Sequence, residues 1–264
     1  MLLDLNTNGI SRALALYKTR EKDKVYLINK LNLKGKNVLD LGANIGYYSL
    51  ILSDNVGDKG SVFCIEPDPR NIKILKANCA LFGSNNIKQI NQVALSEKKG
   101  YVDLFLTDKS NLSTLINKKN NLSKINQKKV KVQCLSYKDL LEQSNLKSFD
   151  LVRMDIEGYE QYIIPQILEI NPNCKILFEV HSVNYSKEFN SYLEKISNKY
   201  KLEYAISTQG GKSIIEKEFN ISHSFCINSD KRKRYVFKNI KSEHLPILIC
   251  HNPRVLRYAL ITKK

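Results

Sequence analysis

The sequence predicts a doubly wound α/β fold, in which helices cover both faces of a mainly parallel sheet. Short apolar runs alternate with helical segments along most of the 264 residues, which is typical of βαβ units. Four of these runs have the continuous apolar character of strands buried on both faces: residues 37–41, 61–65, 149–154 and 174–180. Ligands of such sheets bind beyond the carboxyl ends of the strands, so we expect the functional residues there.

Two regions are expected to depart from this alternation. Residues 1–34 are predicted to be helical from the three- and four-residue spacing of their apolar side chains, although Glu21 falls where an apolar residue is due. Residues 101–106 and 130–135 alternate between apolar and polar as antiparallel strands do. The polar, lysine-rich stretch between them, residues 111–129, is predicted to be a loop.

The chain carries a formal net charge of +16 at pH 7. An anionic partner, such as nucleic acid, a membrane surface or an acidic glycan, would account for this charge. However, 34 of the 42 basic residues are Lys, whereas surfaces that bind phosphates usually draw on the bidentate fork of Arg. The charge is therefore interpreted as the composition of a Lys- and Asn-rich chain, and nucleic acid remains an alternative partner.

The cysteines and the apolar runs indicate where the protein resides. Six cysteines are scattered without any C-x-x-C pair, which favours free thiols in a reducing compartment. The first residues lack a basic region followed by a long apolar stretch, and no apolar run approaches the ~18 residues that a membrane-spanning helix needs. We therefore predict a cytoplasmic protein without a signal peptide or a membrane span; the sequence leaves its oligomeric state open.

The segment VLDLGANIG, residues 38–46, predicts a ligand-binding loop after the first strand. Gly42 and Gly46 bracket the turn, where glycine permits positive φ and close approach of a ligand to the backbone. Asp40 can fix the loop or accept a hydrogen bond from an ammonium group of the ligand. Glu66 ends the second strand, 20 residues after Gly46, where a carboxylate can accept hydrogen bonds from both hydroxyls of a ribose.

Three interpretations of this loop were weighed. A nicotinamide- or flavin-binding loop normally has the pattern G-x-G-x-x-G, which brings the backbone to a pyrophosphate. Here the loop is G-A-N-I-G without a third glycine at the matching spacing, and the acidic D-L-G opening suits a cationic ligand without phosphates. The loop therefore predicts S-adenosylmethionine as the cofactor. The remaining alternative is an ordinary tight turn followed by a chance Glu.

A second cluster of polar residues follows a later strand, in the segment FDLVRMDIEGYE at residues 149–160. The strand delivers Asp155 to the carboxyl edge of the sheet, and Glu157 and Glu160 follow within five residues. Three carboxylates this close repel one another unless they bind cations, donors or solvent. Glu160 also suits the first turn of a helix, where the macrodipole favours a negative charge.

Five short segments in a fixed order give this chain a specific resemblance: GANIGYYS, IEPDP, VALS, DIEGYE and FEVH. Together they resemble the FkbM family of S-adenosylmethionine-dependent methyltransferases, over about Lys34 to His181. The resemblance implies the class I methyltransferase fold, which has three layers, is Rossmann-like, and has a seven-stranded, mostly parallel sheet with one antiparallel strand at its edge. It also implies O-methylation of a hydroxyl on a small molecule or glycan.

The resemblance also implies roles for individual residues. Gly42, Asn44 and Gly46 would line the methionine part of the cofactor, and Glu66 would hold its ribose. Ala94, within the VALS segment, would lie beside the adenine. Asp155 would lie near the centre of methyl transfer.

The chain is expected to divide into a short helical segment and one domain. Residues 1–34 form the segment packed on the domain, and residues 35–264 form a single methyltransferase domain. Within it, residues 205–264 show no family pattern and are interpreted as a variable region on the acceptor side or at an edge strand.

Methyl transfer to an oxygen requires a group that takes the proton of the acceptor. The candidates are Asp155, Glu157 and His181, which follows a strand that ends at Val180. Asp155 with Glu157 or Glu179 could instead hold Mg²⁺, which would lower the pKa of a hydroxyl. No metal motif is recognisable, so no metal ligand is assigned.

Two functions of other classes compete with a small-molecule methyltransferase. A nucleic-acid methyltransferase is favoured only by the charge; the N/D-P-P-Y/F motif of nitrogen methylation and any added nucleic-acid module are absent from the sequence. A non-catalytic binding protein could keep the cofactor fold, but it would have no need of the clustered carboxylates at 155–160.

Overall fold

The fold is organised by one large sheet that runs through the molecule. The structure is a computed structural model and describes residues 1–4, 10–107, 113–115, 128–181 and 185–264. Over these residues the large sheet has nine strands in the order β10-β11-β9-β12-β8-β7-β1-β2-β3, and a second sheet has three strands in the order β4-β6-β5. The strands are β1 (Asn37–Leu41), β2 (Ser61–Ile65), β3 (Ile87–Asn91), β4 (Ala94–Leu95), β5 (Gly100–Leu106), β6 (Lys128–Leu135), β7 (Leu151–Met154), β8 (Lys175–Glu179), β9 (Tyr200–Ser207), β10 (Phe225–Ser229), β11 (Arg232–Ile240) and β12 (Leu256–Lys263).

Helices lie on both faces of the large sheet, as the alternating pattern predicts. They are α1 (Ile10–Tyr17), α2 (Lys22–Lys30), α3 (Tyr47–Val56), α4 (Pro69–Leu81), α5 (Tyr137–Gln143), α6 (Glu160–Ile170), α7 (Lys187–Ile196), α8 (Gln209–Phe219) and α9 (Leu245–Cys250), with a 3-10 helix at Ser242–His244. Helices α5, α6, α7 and α9 pack on one face of the sheet and form one apolar core with it. Helices α2, α3 and α4 pack on the opposite face and form another. In the part of the chain that the structure describes, no helix is both long and apolar enough to cross a bilayer.

The three-layer, Rossmann-like arrangement is confirmed, but the predicted strand count and position of the antiparallel strand are wrong. Strands β3, β2, β1, β7 and β8 run parallel to one another. The antiparallel β12 lies inside the sheet, paired with β8 on one side and with β9 on the other. The hairpin β10–β11 then extends the sheet beyond the seven expected strands, through antiparallel pairing of β11 with β9.

The strand count and the position of β12 could not be predicted from the sequence for a physical reason. Residues 256–263 are almost entirely buried, so their continuous apolar character marks a central strand without showing its direction or its neighbours. Strand β10 alternates between half-buried and exposed positions, which is a weak signal. Strands β10 and β11 form a local hairpin, but the pairing of β11 with β9, and of β12 with β8 and β9, joins segments that are distant in the sequence.

The middle of the chain folds as its alternation predicts. Strands β5 and β6 pair antiparallel, from Gly100 opposite Cys134 to Leu106 opposite Lys128. Residues 111–112 and 116–127 of the predicted loop lie outside the described residues. This small sheet stands beside the carboxyl edge of the large one, where it supplies Ala94 and Leu104 to the cleft described below.

Over its described residues, 1–4 and 10–34, the N-terminal segment contains two helices instead of one uninterrupted helix. The break between α1 and α2 contains two residues with left-handed backbone, Lys18 at φ 59° and Glu21 at φ 50°. Glu21 precedes α2 and is buried, with a side-chain exposure of 3%. The misfit in the apolar pattern at this position therefore marks the end of one helix and a buried charge.

Candidate active site

The glycine-containing loop between β1 and α3 is held in a conformation that only small residues permit. Gly42, Asn44 and Gly46 have φ values of 79°, 52° and 92°. A Cβ atom at Gly42 would overlap the carbonyl oxygen of Asp155, and one at Gly46 would lie 2.8 Å from Leu75 Cδ1. The loop therefore packs directly against the end of β7 on one side and against α4 on the other.

Glu66 ends β2 as a buried carboxylate, with a relative exposure of 5%. Its Oε2 accepts a hydrogen bond from the backbone N–H of Asn44 (2.7 Å), and its Oε1 accepts from the N–H of Asp68 (2.9 Å) and from Asn71 Nδ2 (3.3 Å). Burial nevertheless raises the pKa of Glu66 to about 7, because desolvation outweighs these donors. The side chain thus connects the glycine loop to the start of α4. Because its pKa is about 7, it titrates near neutral pH.

A cleft opens at the carboxyl ends of the central strands. Glu66 and Asp155 line it together with Gly42 and Asn44 of the loop. The remaining walls are mainly apolar: Leu41, Ile65, Pro67, Ala94, Leu95, Leu104, Ser113, Thr114, Leu115, Ile156, Glu157 and Tyr159. An apolar cleft with a few converging polar groups is the usual form of a small-molecule site.

Arg153 connects the floor of this site to its edge. Its Nη1 donates to Asp40 Oδ1 and to the carbonyl oxygen of Gly42, both at 3.0 Å, and its Nη2 donates to Asp155 Oδ2 at 2.9 Å. Asp40 is fully buried, and its other oxygen accepts from Ser49 Oγ at 2.6 Å. Both oxygens of Asp40 are therefore used to support the loop from below.

Lys24, on α2, is a fully buried ammonium that joins three carboxylates. Its Nζ lies 3.2 Å from Asp155 Oδ2 and 3.3 Å from both Glu179 Oε2 and Glu21 Oε2. Burial alone would lower the pKa of Lys24, but Glu21 and Asp155 outweigh it and raise the pKa. Likewise, burial would raise the pKa of Asp155, but Lys24, His181 and Arg153 hold it well below its usual range.

His181 lies on the other side of Asp155, among carboxylates. Its Nδ1 is 3.1 Å from Glu160 Oε1, and its Nε2 is 3.5 Å from Asp155 Oδ1 and 3.7 Å from Glu157 Oε1. Burial would lower the pKa of His181, but Glu160 and the hydrogen bonds to the neighbouring carboxylates raise it well above its usual value. The neighbouring carboxylates therefore favour the protonated form of the imidazole.

These contacts test whether Asp155 and its neighbours could hold Mg²⁺. Ligand atoms of Asp155, Glu157 and His181 lie within 4.8 Å of one another, which is close enough to hold an ion. However, Asp155 Oδ2 already pairs with two buried cations, Lys24 and Arg153. The arrangement gives no support to Mg²⁺.

The structure brings most of the predicted site residues together, but at different depths. Six of them line the cleft: Gly42, Asn44, Glu66, Ala94, Asp155 and Glu157. Asp40 lies below the loop, Gly46 packs on α4, and His181 lies behind Asp155 with 8% exposure.

Sequence reasoning missed three charged residues of this site: Glu21, Lys24 and Arg153. One signal was available for Arg153, because a charge inside the buried run FDLVRMD needs a partner. Glu21 showed itself only as a misfit in a helical pattern. Nothing in the sequence connects Lys24 to Asp155, which lies 131 residues further along the chain.

The sequence matches the model of a known protein family. The model of the methyltransferase FkbM domain matches residues 40–233, which is most of the chain and contains the glycine loop, Glu66 and Asp155. The chain belongs to the FkbM methyltransferase family. The resemblance inferred from five short segments is thereby confirmed, and the match extends 52 residues beyond His181 into the C-terminal region.

Individual proteins that resemble this FkbM chain match it over short stretches or at low sequence identity. A curated protein of Sulfolobus acidocaldarius, named probable cobalt-precorrin-6B C(15)-methyltransferase (decarboxylating), is 32% identical over 73 residues, which cover 27% of this chain and 38% of that protein. A crystal structure of methyltransferase FkbM from Methylobacillus flagellatus aligns over 79% of this chain and 45% of its own, at 14% identity and a TM-score of 0.47. A structure of an S-adenosylmethionine-dependent O-methyltransferase from Thermotoga maritima aligns over 96% and 70%, at 13% identity and a TM-score of 0.45. The chain thus spans less than half the length of the first two proteins.

The close packing of Gly42 predicts the effect of adding one methyl group. Gly42→Ala should lower the free energy of unfolding by about 1–3 kcal/mol from overlap with Asp155, in addition to about 1 kcal/mol for the positive φ. Gly83→Ala is the matched control, because Gly83 has φ 59° and no atom within 4 Å of an added Cβ. Equal losses for the two variants in urea denaturation would show that the loop does not pack against β7 as described.

Removal of the buried ammonium should destabilise the protein in a pH-dependent way. Lys24→Met leaves Glu21, Asp155 and Glu179 close together without their shared cation, which should cost about 3–5 kcal/mol at pH 7. The pKa of Asp155 would then rise above its unfolded value, so part of the loss should be regained as the pH falls from 7 to 5, where the folded state binds more protons than the unfolded state. Urea denaturation of Lys22→Met, at an exposed position of the same helix, is the control and should be nearly unchanged.

Proposed function

We propose that this chain is a methyltransferase that binds S-adenosylmethionine in the cleft and methylates a hydroxyl oxygen of a small molecule or glycan. The observation that supports this most strongly is that Glu66 and Asp155 face the same cleft beneath the glycine loop. One carboxylate is suited to hold a ribose, and the other lies where an acceptor must be oriented. Membership of the FkbM family supports the same reaction class.

The residues of the cleft fit this cofactor. Gly42 leaves the loop backbone uncovered by any side chain, and Glu66 offers a buried carboxylate for two ribose hydroxyls. Ala94, Leu95 and Leu104 provide an apolar wall of the kind that an adenine ring requires. When bound, S-adenosylmethionine supplies a methyl group activated by its sulfonium charge.

Asp155 orients the acceptor hydroxyl in this proposal. Lys24 and Arg153 keep its carboxylate ionised, so it accepts a hydrogen bond at all ordinary pH values but is a weak base. His181 Nε2 lies 3.5 Å from Asp155 Oδ1. The acceptor's proton passes to this Asp155–His181 pair once the imidazole has lost its own proton.

The raised pKa of Glu66 predicts a pH dependence of cofactor binding. Ribose hydroxyls donate to the ionised carboxylate, which is present above pH about 7. Affinity for S-adenosylhomocysteine should therefore fall as the pH drops below 7, by up to tenfold per pH unit, and binding should release a proton near pH 7.

Calorimetry of S-adenosylhomocysteine binding in buffers of different ionisation enthalpy measures both effects. Glu66→Gln should bind more weakly and lose the pH dependence between pH 5.5 and 7.5. Glu203→Gln, on β9 near the opposite edge of the sheet, is the control that keeps it. A wild type that binds equally well at pH 5.5 and 7.5 would contradict the assignment of Glu66 to the ribose.

The Asp155–His181 pair predicts the pH profile of methyl transfer. Because the pKa of His181 is raised well above its usual value, kcat should rise with pH as the imidazole loses its proton, at a pH above the usual range of histidine. His181→Asn should flatten this rise, and Asp155→Asn should lower kcat by about 10²- to 10⁴-fold.

Release of S-adenosylhomocysteine, measured with a panel of sugars, other alcohols and RNA, tests the activity and the acceptor class together. Turnover with RNA alone would reject a small-molecule acceptor. Loss of activity in Asp155→Asn must occur without loss of S-adenosylhomocysteine binding if the role is orientation of the acceptor.

A further inference from the structure

A second cavity, distinct from the cofactor cleft, lies at the same edge of the sheet. Strand β12 begins beyond the end of β8, where Tyr258 pairs with Glu179, and β11 begins beyond the end of β9, where Tyr235 pairs with Ser207. The cavity lies between these strand starts and the α1–α2 junction. It is lined by Ala13, Tyr17, Thr19, Arg20, Glu21, Lys22, Asp230, Lys231, Arg232, Arg234 and Arg257.

The lining is strongly basic, with six basic and two acidic side chains. Four of the six are Arg, although the chain as a whole is rich in Lys and poor in Arg. Half of the eight arginines in the sequence are therefore gathered in one cavity. A general drift toward lysine does not explain this concentration, and planar guanidinium groups are the side chains that best match phosphate oxygens.

The arginines are held in place by buried acids without being saturated by them. Arg20 and Arg257 both donate to Glu21 Oε1, at 3.2 and 3.0 Å. Arg234 is only 5% exposed in its side chain, and its one ion pair is a long one, 3.8 Å from Nε to Asp23 Oδ2. Arg234 Nε is buried without a hydrogen-bond acceptor, which is costly unless a ligand completes the site.

Two further cations are available to a ligand. Arg232 and Lys22 are exposed, and neither forms an ion pair with any residue that the structure describes. Since neighbouring cations repel one another, their convergence on one cavity costs free energy that a bound anion would recover.

The cavity is coupled to the proposed methyl-transfer centre. Glu21 lines the cavity and lies 3.3 Å from Lys24 Nζ, and Lys24 lies 3.2 Å from Asp155, which lines the cleft. Two ion pairs therefore separate the carboxylate that orients the acceptor from the basic lining. An acceptor that reaches both places would carry a hydroxyl at one end and an anion at the other.

We propose that this cavity binds a phosphoryl group, and that the phosphoryl group belongs to the methyl acceptor. The second part rests on the function proposed above, whereas the first does not. The acceptor class is then a phosphorylated alcohol, such as a sugar phosphate or a nucleoside diphosphate sugar.

Binding of inorganic pyrophosphate to the full chain, without cofactor, tests the first part. Calorimetry at low ionic strength should show binding that weakens with salt. Arg232→Gln and Lys22→Gln should each weaken it about tenfold. Lys201→Gln, in a separate lysine-lined cavity on β9, removes the same charge and should leave it unchanged. No binding by the wild type, or equal weakening in all three variants, overturns the site.

Methyl transfer to phosphorylated alcohols and to their dephosphorylated counterparts tests the second part. Release of S-adenosylhomocysteine should require the phosphate, pyrophosphate should compete with the acceptor, and Arg232→Gln should raise KM about tenfold with little change in kcat. Pyrophosphate that binds without competing would identify a free anion as the ligand and overturn the acceptor assignment. If the proposed function itself fails, the chain binds no S-adenosylhomocysteine, while pyrophosphate binding is unaffected.

Discussion

The ammonium of Lys24 among three buried carboxylates is the interaction on which the rest of the site depends. Carboxylates as close as Glu21, Asp155 and Glu179 cannot all remain ionised out of water unless a cation is shared between them. Lys24 supplies that cation from α2, so the N-terminal segment is part of the site. The same ion pairs explain why Asp155 is a strongly ionised hydrogen-bond acceptor rather than a strong base.

A second constraint is the shortage of space where β1 and β7 end. Gly42 touches the backbone of Asp155, and Arg153 then bonds to both the loop and the Asp155 side chain. The glycine loop and the carboxyl end of β7 are therefore one packed unit. Glu66 closes this unit from the β2 side through its bond from the Asn44 N–H. A shift in one of these parts must move the others, because packed interiors deform little.

The elements that could be predicted from the sequence are those determined by residues close together in the chain. A run such as VLDLGANIG carries its strand, its turn and its helix start within ten residues, and the order of such runs predicts parallel strands. The direction of β12 and the attachment of the β10–β11 hairpin to β9 could not be predicted, because both depend on pairing between distant segments.

The residues of the candidate site likewise divide into those that could be predicted from the sequence and those that could not. Residues that end strands, such as Glu66 and Asp155, are visible because the fold rule says where to look. The partners that set their charge state are not visible. Lys24 reaches Asp155 only through tertiary packing, and the raised pKa of His181 depends on Glu160 at the start of α6. The basic cavity was missed because its arginines come from three separate segments, although a count of Arg against Lys contained a hint.

The position of β12 has a consequence for the order in which the molecule is made. Strands β9, β10 and β11 leave the ribosome before β12 does, yet β12 is the strand through which they reach β8. Until it is synthesised, β8 and β9 each present an unpaired edge of a kind prone to wrong association. The sheet is therefore completed only when β12, the last of its strands in the sequence, pairs with both β8 and β9.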